Sequence, residues 1–591
     1  MTRRDASSAP PGRPGRPPRP TPARRAYRPF SRPEADTVML PPVTAEPEAR
    51  PGERGPAGRP GRPAGRLAAS QPAERTRVLV PRRGRRELER SPFPRPSPRR
   101  IWVSRAVLVA ILAVQAALSL RMHNTAFEDE ALYLTAGHYE LAHLLYGVPL
   151  PQDYASFFSG SPVLYPILGA LADTAGGLAA ARLVSLLAML TTTALLYSLT
   201  RRLFNERIGL CAAVIFSVTE SAIFLGNFAT YDAPALCLLA VAAWIVVRTA
   251  TVRWPVYLAA APVAALAVGT KYAAALFVPT IVAMAALAAW PYQGKRALIR
   301  SGALGVAIAG LLAGALWLAG SGYVAAVTST TTARQHGTTP IGVLLRDCLL
   351  WGALPFALAV IGSVAYAMEA RTEPGERIAP PGGRVHRIVL GVVLTGTALL
   401  APLDQIHLHT DVSFQKHIGF GLFFAAPMAG IGLARIIGAH FHRAQFGVVV
   451  WGGCLLLGMV QAGHLYDSWP NGRPLVAELS RYLAPHAHYL VEVSEVPTYY
   501  LMYNPDARAS QFSSTYFISY TEQNGTTLTG DAGYEQAIRD GYFRVIAYDN
   551  TVTVPLDHIL ARMLMNDPQY RLAATLANSD GLGTYYVWVK R

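Results

Sequence analysis

Three carboxylates in a row, Glu128-Asp129-Glu130, stand just beyond the first apolar run long enough to cross a membrane. Acidic residues beside a bilayer are costly unless they have a task. One of them can take a proton from an acceptor nucleophile, or hold a divalent cation against a phosphate. A solvated loop acid is the plainer role, and two of the three fit it. Further carboxylates and isolated cations recur along the chain. Thr230-Tyr231-Asp232-Ala233-Pro234 sets an acid at a helix edge, where it serves equally as an N-cap. Thr270-Lys271-Tyr272 puts a lysine at the tip of a helix pair too short to hide it, which calls for a partner such as a phosphate. Arg334 and His336 lie in one connecting loop. Asp404, His407, His409 and Asp411 precede Lys416-His417. A His-x-His beside two aspartates is a metal-binding pattern, but without a second spaced pair hydrogen-bonded loop histidines are the simpler reading. Lys416 and His417 open a helix, where the dipole favours an anionic group.

Acids and isolated cations at one mouth suit a reaction between a phosphorylated leaving group and a hydroxyl or amine acceptor. The cations stabilise the departing phosphate and a carboxylate deprotonates the acceptor.

The elements that must position these residues follow from composition and charge. With 51% hydrophobic and 15% charged residues, the 591-residue chain is too apolar for a soluble enzyme of its size. Ala/Leu/Val runs of about 16–24 residues recur from Ile101 to residue 462, each able to span a hydrocarbon core of about 30 Å. Lys and Arg mark the cytoplasmic ends of such runs. Arg201-Arg202, Arg248 and Arg253, Lys295-Arg296, and Arg435 with Arg443 therefore predict about 11 crossings. The N-terminus is then cytoplasmic, and every candidate site residue is outside. That side lacks nucleotides, so an activated donor would be carried in the membrane, a lipid-phosphate sugar being the obvious one.

Three domains follow. Residues 1–100 form a basic Arg/Pro-rich tail with no hydrophobic periodicity, read as a disordered cytoplasmic segment lying on anionic lipid. It carries the excess behind the net charge of +17, and nucleic-acid binding is not expected of it. Residues 101–464 form the α-helical membrane domain, its first run an uncleaved anchor. Residues 465–591 form an extracytoplasmic α/β domain, with strands at Tyr489–Val496, Tyr542–Tyr548 and Thr584–Lys590 and helices at Tyr534–Asp540 and Leu556–Asn566. The four cysteines all fall in apolar runs with no CxxC pair, which indicates neither a zinc site nor a disulfide framework.

The order of motifs resembles the GT-C superfamily of glycosyltransferases, in the branch of protein O-mannosyltransferases and aminoarabinose transferases. An outward first helix precedes Asp129-Glu130 with Tyr133, then Pro162-Val163-Leu164-Tyr165, Arg182, Asp232 and Thr270-Lys271-Tyr272. The likeness covers roughly residues 100–300 by motif and the rest by hydropathy. It implies a polyprenyl-phosphate sugar donor and an extracytoplasmic acceptor. It also implies Asp129 as the base with Glu130 in support, Asp232 orienting the site and Lys271 paired with the donor phosphate. The family's loop helix usually carries Lys or His before Pro-Pro-Leu. Here Gly160-Ser161-Pro162-Val163-Leu164 stands instead, so one phosphate contact is missing or replaced, with Lys416 or Arg334 as the substitute. The residues single out no cofactor, and a divalent metal ion is compatible with the acids. The rival reading is a transporter or flippase of lipid-linked glycans. That class places ionisable residues at mid-membrane and repeats its halves; here such residues are few (Glu220, Asp347) and no repeat is visible.

Overall fold

The computed structural model describes residues 98–252, 255–368, 371–373, 376–377, 383–577 and 583–591. All but the last three residues of the expected tail 1–100, the marker Arg253 and most of the linker before Arg384 lie outside them.

Every expected crossing is occupied by helix. In chain order these are α1 (Pro98–Leu120), then a non-spanning α2 (Glu128–Tyr146), α3 (Tyr165–Leu203), α4 (Glu206–Phe216), α5 (Glu220–Leu225), α6 (Asp232–Arg248), α7 (Ala260–Thr270), α8 (Val278–Gln293), α9 (Arg296–Thr330) and α10 (Ile341–Met368). A short hairpin, β1 (Arg371–Glu373) and β2 (Glu376–Arg377), leads to α11 (Arg384–Gly396), α12 (Leu400–Leu408), α13 (Phe414–Ile437) and α14 (Ala444–Tyr466). Among the described residues 8 helical segments are long and apolar enough to cross a membrane; α4 with α5, α6, and α7 are the shorter crossings. This is a multi-pass membrane protein. Its central helix is α13, of which 83% of the apolar window is buried. Gly362 and Gly432 let α10 pack backbone to backbone against it, since an added Cβ would stand 1.8 Å from Met428 O or 2.1 Å from Leu358 O.

Two details position the site. The acidic triplet is the first turn of α2 and not a loop, in keeping with the helix dipole, which favours carboxylates there. And α3 is two helices in one: Gly176 and Gly177 break it, Gly177 at φ 66° in a conformation that side chains with a Cβ rarely adopt. The half before the break is the expected loop helix, but it starts only at Tyr165 with Pro166 in its first turn, so that residues 160–164 form the loop ahead of it; the half after the break is the crossing.

The C-terminal region adds α15 (Arg473–Leu479), β3 (His488–Val491), α16 (Glu495–Leu501), β4 (Phe512–Ser513), β5 (Ser519–Thr521), β6 (Thr527–Thr529), α17 (Gly530–Arg539), β7 (Phe543–Tyr548), α18 (Val554–Asn566), β8 (Tyr570–Ala577) and β9 (Thr584–Lys590). Its main sheet has the order β4-β3-β7-β9-β8, with β3 parallel to β4 and β7 and β9 antiparallel to both neighbours. Alternation sends Leu490, Ile546 and Trp588 towards α17 and α18, and Tyr489, Val545 and Val587 towards α15. The result is a sheet between two helical layers. Strand β3 is shorter than the expected run to Val496, because Glu495 and Val496 open α16. Strand β8 went unanticipated: it is an edge whose exposed and half-buried residues show no clean alternation.

Candidate active site

Two ion pairs, each with a buried lysine, define the mouth. Lys271 Nζ lies 2.5 Å from Asp232 Oδ1, and both side chains are almost wholly buried. Lys416 Nζ lies 2.7 Å from Asp129 Oδ2; the lysine is buried, while Asp129 keeps 24% of its side-chain exposure. Four separate elements supply these residues: Asp129 comes from α2, Asp232 from the start of α6, Lys271 from the link after α7 and Lys416 from the first turn of α13. Each pair feels the other, since both lysines act electrostatically on Asp232. Burying ions costs several kcal/mol apiece before their attraction is counted, so such pairs are weak evidence of a stability role.

The backbone explains how Lys271 comes to be buried, against the expectation of an exposed tip. Residue 271 is extended between α7 and the following 3-10 turn, and the loop before α3 lies alongside it. The Ser161 amide donates to Gly269 O at 2.8 Å, and the Tyr272 amide to Ser159 O at 2.8 Å. Gly160 permits this approach, for a Cβ there would sit 2.1 Å from Thr270 O. The Gly160-Ser161 sequence thus brings the loop against the lysine. Asp232 does not cap α6: Tyr231 holds the cap position, and Asp232 instead accepts from Thr230 Oγ1 at 2.9 Å while facing Lys271.

Glu130 lies behind Asp129 and is fully buried. One oxygen accepts from Arg182 Nε (2.8 Å) and the Ala229 amide (2.8 Å), the other from Arg182 Nη2 (2.6 Å) and the Phe127 amide (2.9 Å). Four bonds fill a carboxylate's capacity. Arg182 also donates to the carbonyls of Asn124 and Thr125 and lies over the Tyr466 ring. This knot fixes α2, α3 and the loop before α6 in one register.

Aromatic residues line the same space. The Tyr133 hydroxyl donates to Tyr231 Oη at 2.6 Å, and the Tyr231 ring lies 4.7 Å below Lys271 Nζ. Burial, aided by the charge of Asp129, pushes the Tyr133 hydroxyl well above its ordinary range, so it stays a neutral donor. His417 is buried beside Lys416; its Nδ1 accepts from Gln405 Nε2 at 3.3 Å, which leaves Nε2 carrying hydrogen with no partner among the described residues. Arg334 is half-buried in the loop before α10, where Asp404 and Tyr231 are its electrostatic neighbours. That loop pairs with the end of α12 through the Gly337 and Thr339 amides. His336 and His407 meet edge to face, and no three His, Cys, Asp or Glu residues among those described converge as a metal-ligand set. Glu220 and Asp347, the mid-run acids, are elsewhere: Glu220 opens α5 beside Ser221, and Asp347 pairs with Arg346.

One group was not anticipated. Asp173, buried on the loop half of α3, accepts from the Tyr499 hydroxyl of α16 at 2.6 Å and lies 2.8 Å from His138 Nε2 of α2. The signal was in the sequence, as an acid and a histidine inside apolar helical runs; their distant tyrosine partner was not.

Comparison with known proteins gives a consistent result. Residues 165–318 match the family model described as dolichyl-phosphate-mannose-protein mannosyltransferase. ArnT from Cupriavidus metallidurans, in the apo state and bound to undecaprenyl phosphate, superposes at a TM-score of 0.51 in both cases. The identity is 13%, and the match covers 83% of this chain and 98% of ArnT. The oligosaccharyltransferase of Archaeoglobus fulgidus gives a TM-score of 0.46 at 12% identity, over 81% of this chain and 72% of that one. No curated protein sequence matches. The likeness to ArnT establishes the fold.

Proposed function

We propose, taking as premise a GT-C superfamily chain similar to ArnT and the protein mannosyltransferases, that it transfers a sugar from a polyprenyl-phosphate donor to an extracytoplasmic acceptor. The observation that carries this reading is the pairing of Asp129 with Lys416 and of Asp232 with Lys271 at one mouth. A structure of the similar ArnT holds undecaprenyl phosphate, the class of lipid a membrane-embedded pair of lysines suits.

The chemistry follows from the geometry. Asp129 is the partly exposed acid and takes the proton of the acceptor hydroxyl or amine. As the acceptor atom bonds to the sugar's anomeric carbon, the bond from that carbon to the phosphate oxygen breaks, and its electron pair leaves with the polyprenyl phosphate. Lys271 and Lys416 face the charge that develops there, with Arg334 and the free Nε2–H of His417 at its edge. Lys416 is shared: in the resting state it neutralises Asp129, and an incoming phosphate draws it away and frees the carboxylate. Glu130 holds the base in place, and Asp232 holds Lys271. The charge pattern of the helix ends supports an orientation with this mouth and the C-terminal domain outside and the N-terminus in the cytoplasm.

The test is transfer in reconstituted membranes, with radiolabelled polyprenyl-phosphate hexoses and pentoses as donors and envelope extract as acceptor. Asp129→Asn is expected to lower turnover by about 10²–10⁴-fold, the range for loss of a general base, while donor binding persists. Transfer surviving in this variant at equal expression would remove Asp129 as the base. Movement of lipid-linked glycan across the bilayer with no transfer would favour the flippase.

A further inference from the structure

The ends of α3, α6 and α8 opposite the catalytic mouth, with α10 and α11, border an open cleft. Helix α6 measures the separation: Asp232 stands at its catalytic end and Val247, in the cleft wall, lies about 22 Å along the axis at 1.5 Å per residue. Leu203, Val247 and Leu287 give the cleft an apolar wall, and Arg202, Tyr292 and His386 give it polar groups. Arg202 Nε donates to Val247 O at 3.3 Å, and Arg248 and Arg201, the latter paired with Glu206 at 3.5 Å, act on Arg202 electrostatically, so the charge beside the cleft is positive on balance.

His386 sharpens the chemistry. Its Nε2 lies 2.8 Å from Leu287 O, and because a carbonyl only accepts, that nitrogen carries the hydrogen. In the neutral ring Nδ1 is then an acceptor. It is buried, in a residue only 9% exposed, and has no hydrogen-bond partner among the described residues. A buried acceptor without a donor is costly. A phosphodiester has no hydrogen to give, but a headgroup hydroxyl does. The three arginines disfavour an ammonium headgroup as the alternative donor.

We infer that this cleft binds an anionic phospholipid with a hydroxylated headgroup, its phosphate at Arg202 and the rim arginines and its hydroxyl at His386 Nδ1. The acyl stems lie on the apolar wall. The site is separate from the catalytic mouth and does not rest on the transfer reaction.

Retention of lipid by the delipidated full-length protein tests this. Equimolar phosphatidylglycerol, phosphatidic acid and phosphatidylethanolamine are offered in mixed micelles, and bound lipid is counted by native mass spectrometry. Phosphatidylglycerol is expected to be retained over phosphatidic acid, and both over phosphatidylethanolamine. Arg202→Gln should weaken both anionic lipids about fivefold, the equivalent of about 1 kcal/mol for one interfacial cation. Arg202→Lys should keep most of the binding, which separates lost charge from a disturbed fold. His386→Phe should erase the preference for phosphatidylglycerol over phosphatidic acid and leave the latter bound. Equal retention of phosphatidylethanolamine, or indifference to Arg202→Gln, would overturn the inference. Displacement of the lipid by soluble glycerol phosphate at equal concentration would overturn its assignment to a lipid.

Discussion

Asp232 and Lys271 are each the other's nearest charge compensation for leaving water, and their substitutions should show it. Lys271→Met leaves an uncompensated buried carboxylate, and Asp232→Asn an uncompensated ammonium. Removing one partner of such a pair typically costs about 3–5 kcal/mol. The double variant Asp232→Asn/Lys271→Met should recover much of that loss in denaturation of the full chain, yet remain unable to bind a polyprenyl-phosphate donor. Strictly additive losses would show that the pair is not coupled, and donor binding restored in the double variant would remove Lys271 from the phosphate site. Both residues stand out in the sequence, because a lysine and an acid inside apolar context need a reason. Their pairing does not, since 39 positions separate them and either would serve equally as a solvated end group. Lys416 shows this more strongly: 287 positions from Asp129, it could be proposed as a phosphate ligand from the sequence but not as the counterion of Asp129.

Helix α2 and the loop before α3 carry the site through backbone contacts that tolerate no side chain. Gly160 abuts Thr270 O beside Lys271, and Gly137 abuts Pro166 O, where a Cβ would lie at 1.9 Å. Gly160→Ala must push the loop off α7 and take Lys271 with it. The expected result is weaker donor binding with acceptor KM unchanged, read by donor and acceptor titrations of the transfer reaction; equal effects on both would point to general loosening of the mouth. Crossing helices are legible because length and hydropathy are set by the bilayer. The beginning of α2 at Glu128 and the break at Gly176-Gly177 are less so, because both depend on what the helix packs against.

The C-terminal domain is fastened to α2, α3 and the residues before α2 by tyrosines: Tyr499 to Asp173, Tyr500 to the Ala126 amide at 2.9 Å, and Tyr516 to Glu128 at 3.1 Å. Its own loops are held by a buried carboxylate cluster. Glu492, just after β3, accepts from the amides of Asp549, Asn550, Thr551, Val552 and Thr553. Burial pushes Glu492 up, but the hydrogen bonds from Asp549 and these amides outweigh it and hold it below its ordinary value. Burial and the Glu492 charge raise Asp549 to about 8 and Asp557 to about 9. A raised carboxyl binds its proton more tightly in the folded than in the unfolded state. Its contribution is therefore full below the ordinary value near 3.8 and declines as pH rises through about 8–9. Glu492 works in the opposite sense, contributing above its ordinary value of 4.5 and losing it as pH falls. The unfolding temperature of the domain should fall between pH 6 and pH 9, and Asp549→Asn should flatten that fall. An unchanged slope in the variant would mean that the cluster does not titrate there.

Composition and periodicity make the apolar helices and the C-terminal α/β region legible, because each is a local consequence of burying apolar side chains at a 3.6- or 2-residue period. The order of motifs adds the resemblance to a superfamily. Which acid meets which base, how Lys271 becomes buried, why Glu130 is saturated and how Tyr499 reaches Asp173 were decided by packing alone. Apart from the Phe127 amide, three positions from Glu130, these are contacts between residues 39 to 326 positions apart. Charge and hydrogen-bonding capacity are properties of a residue; the partner that satisfies them is a property of the fold.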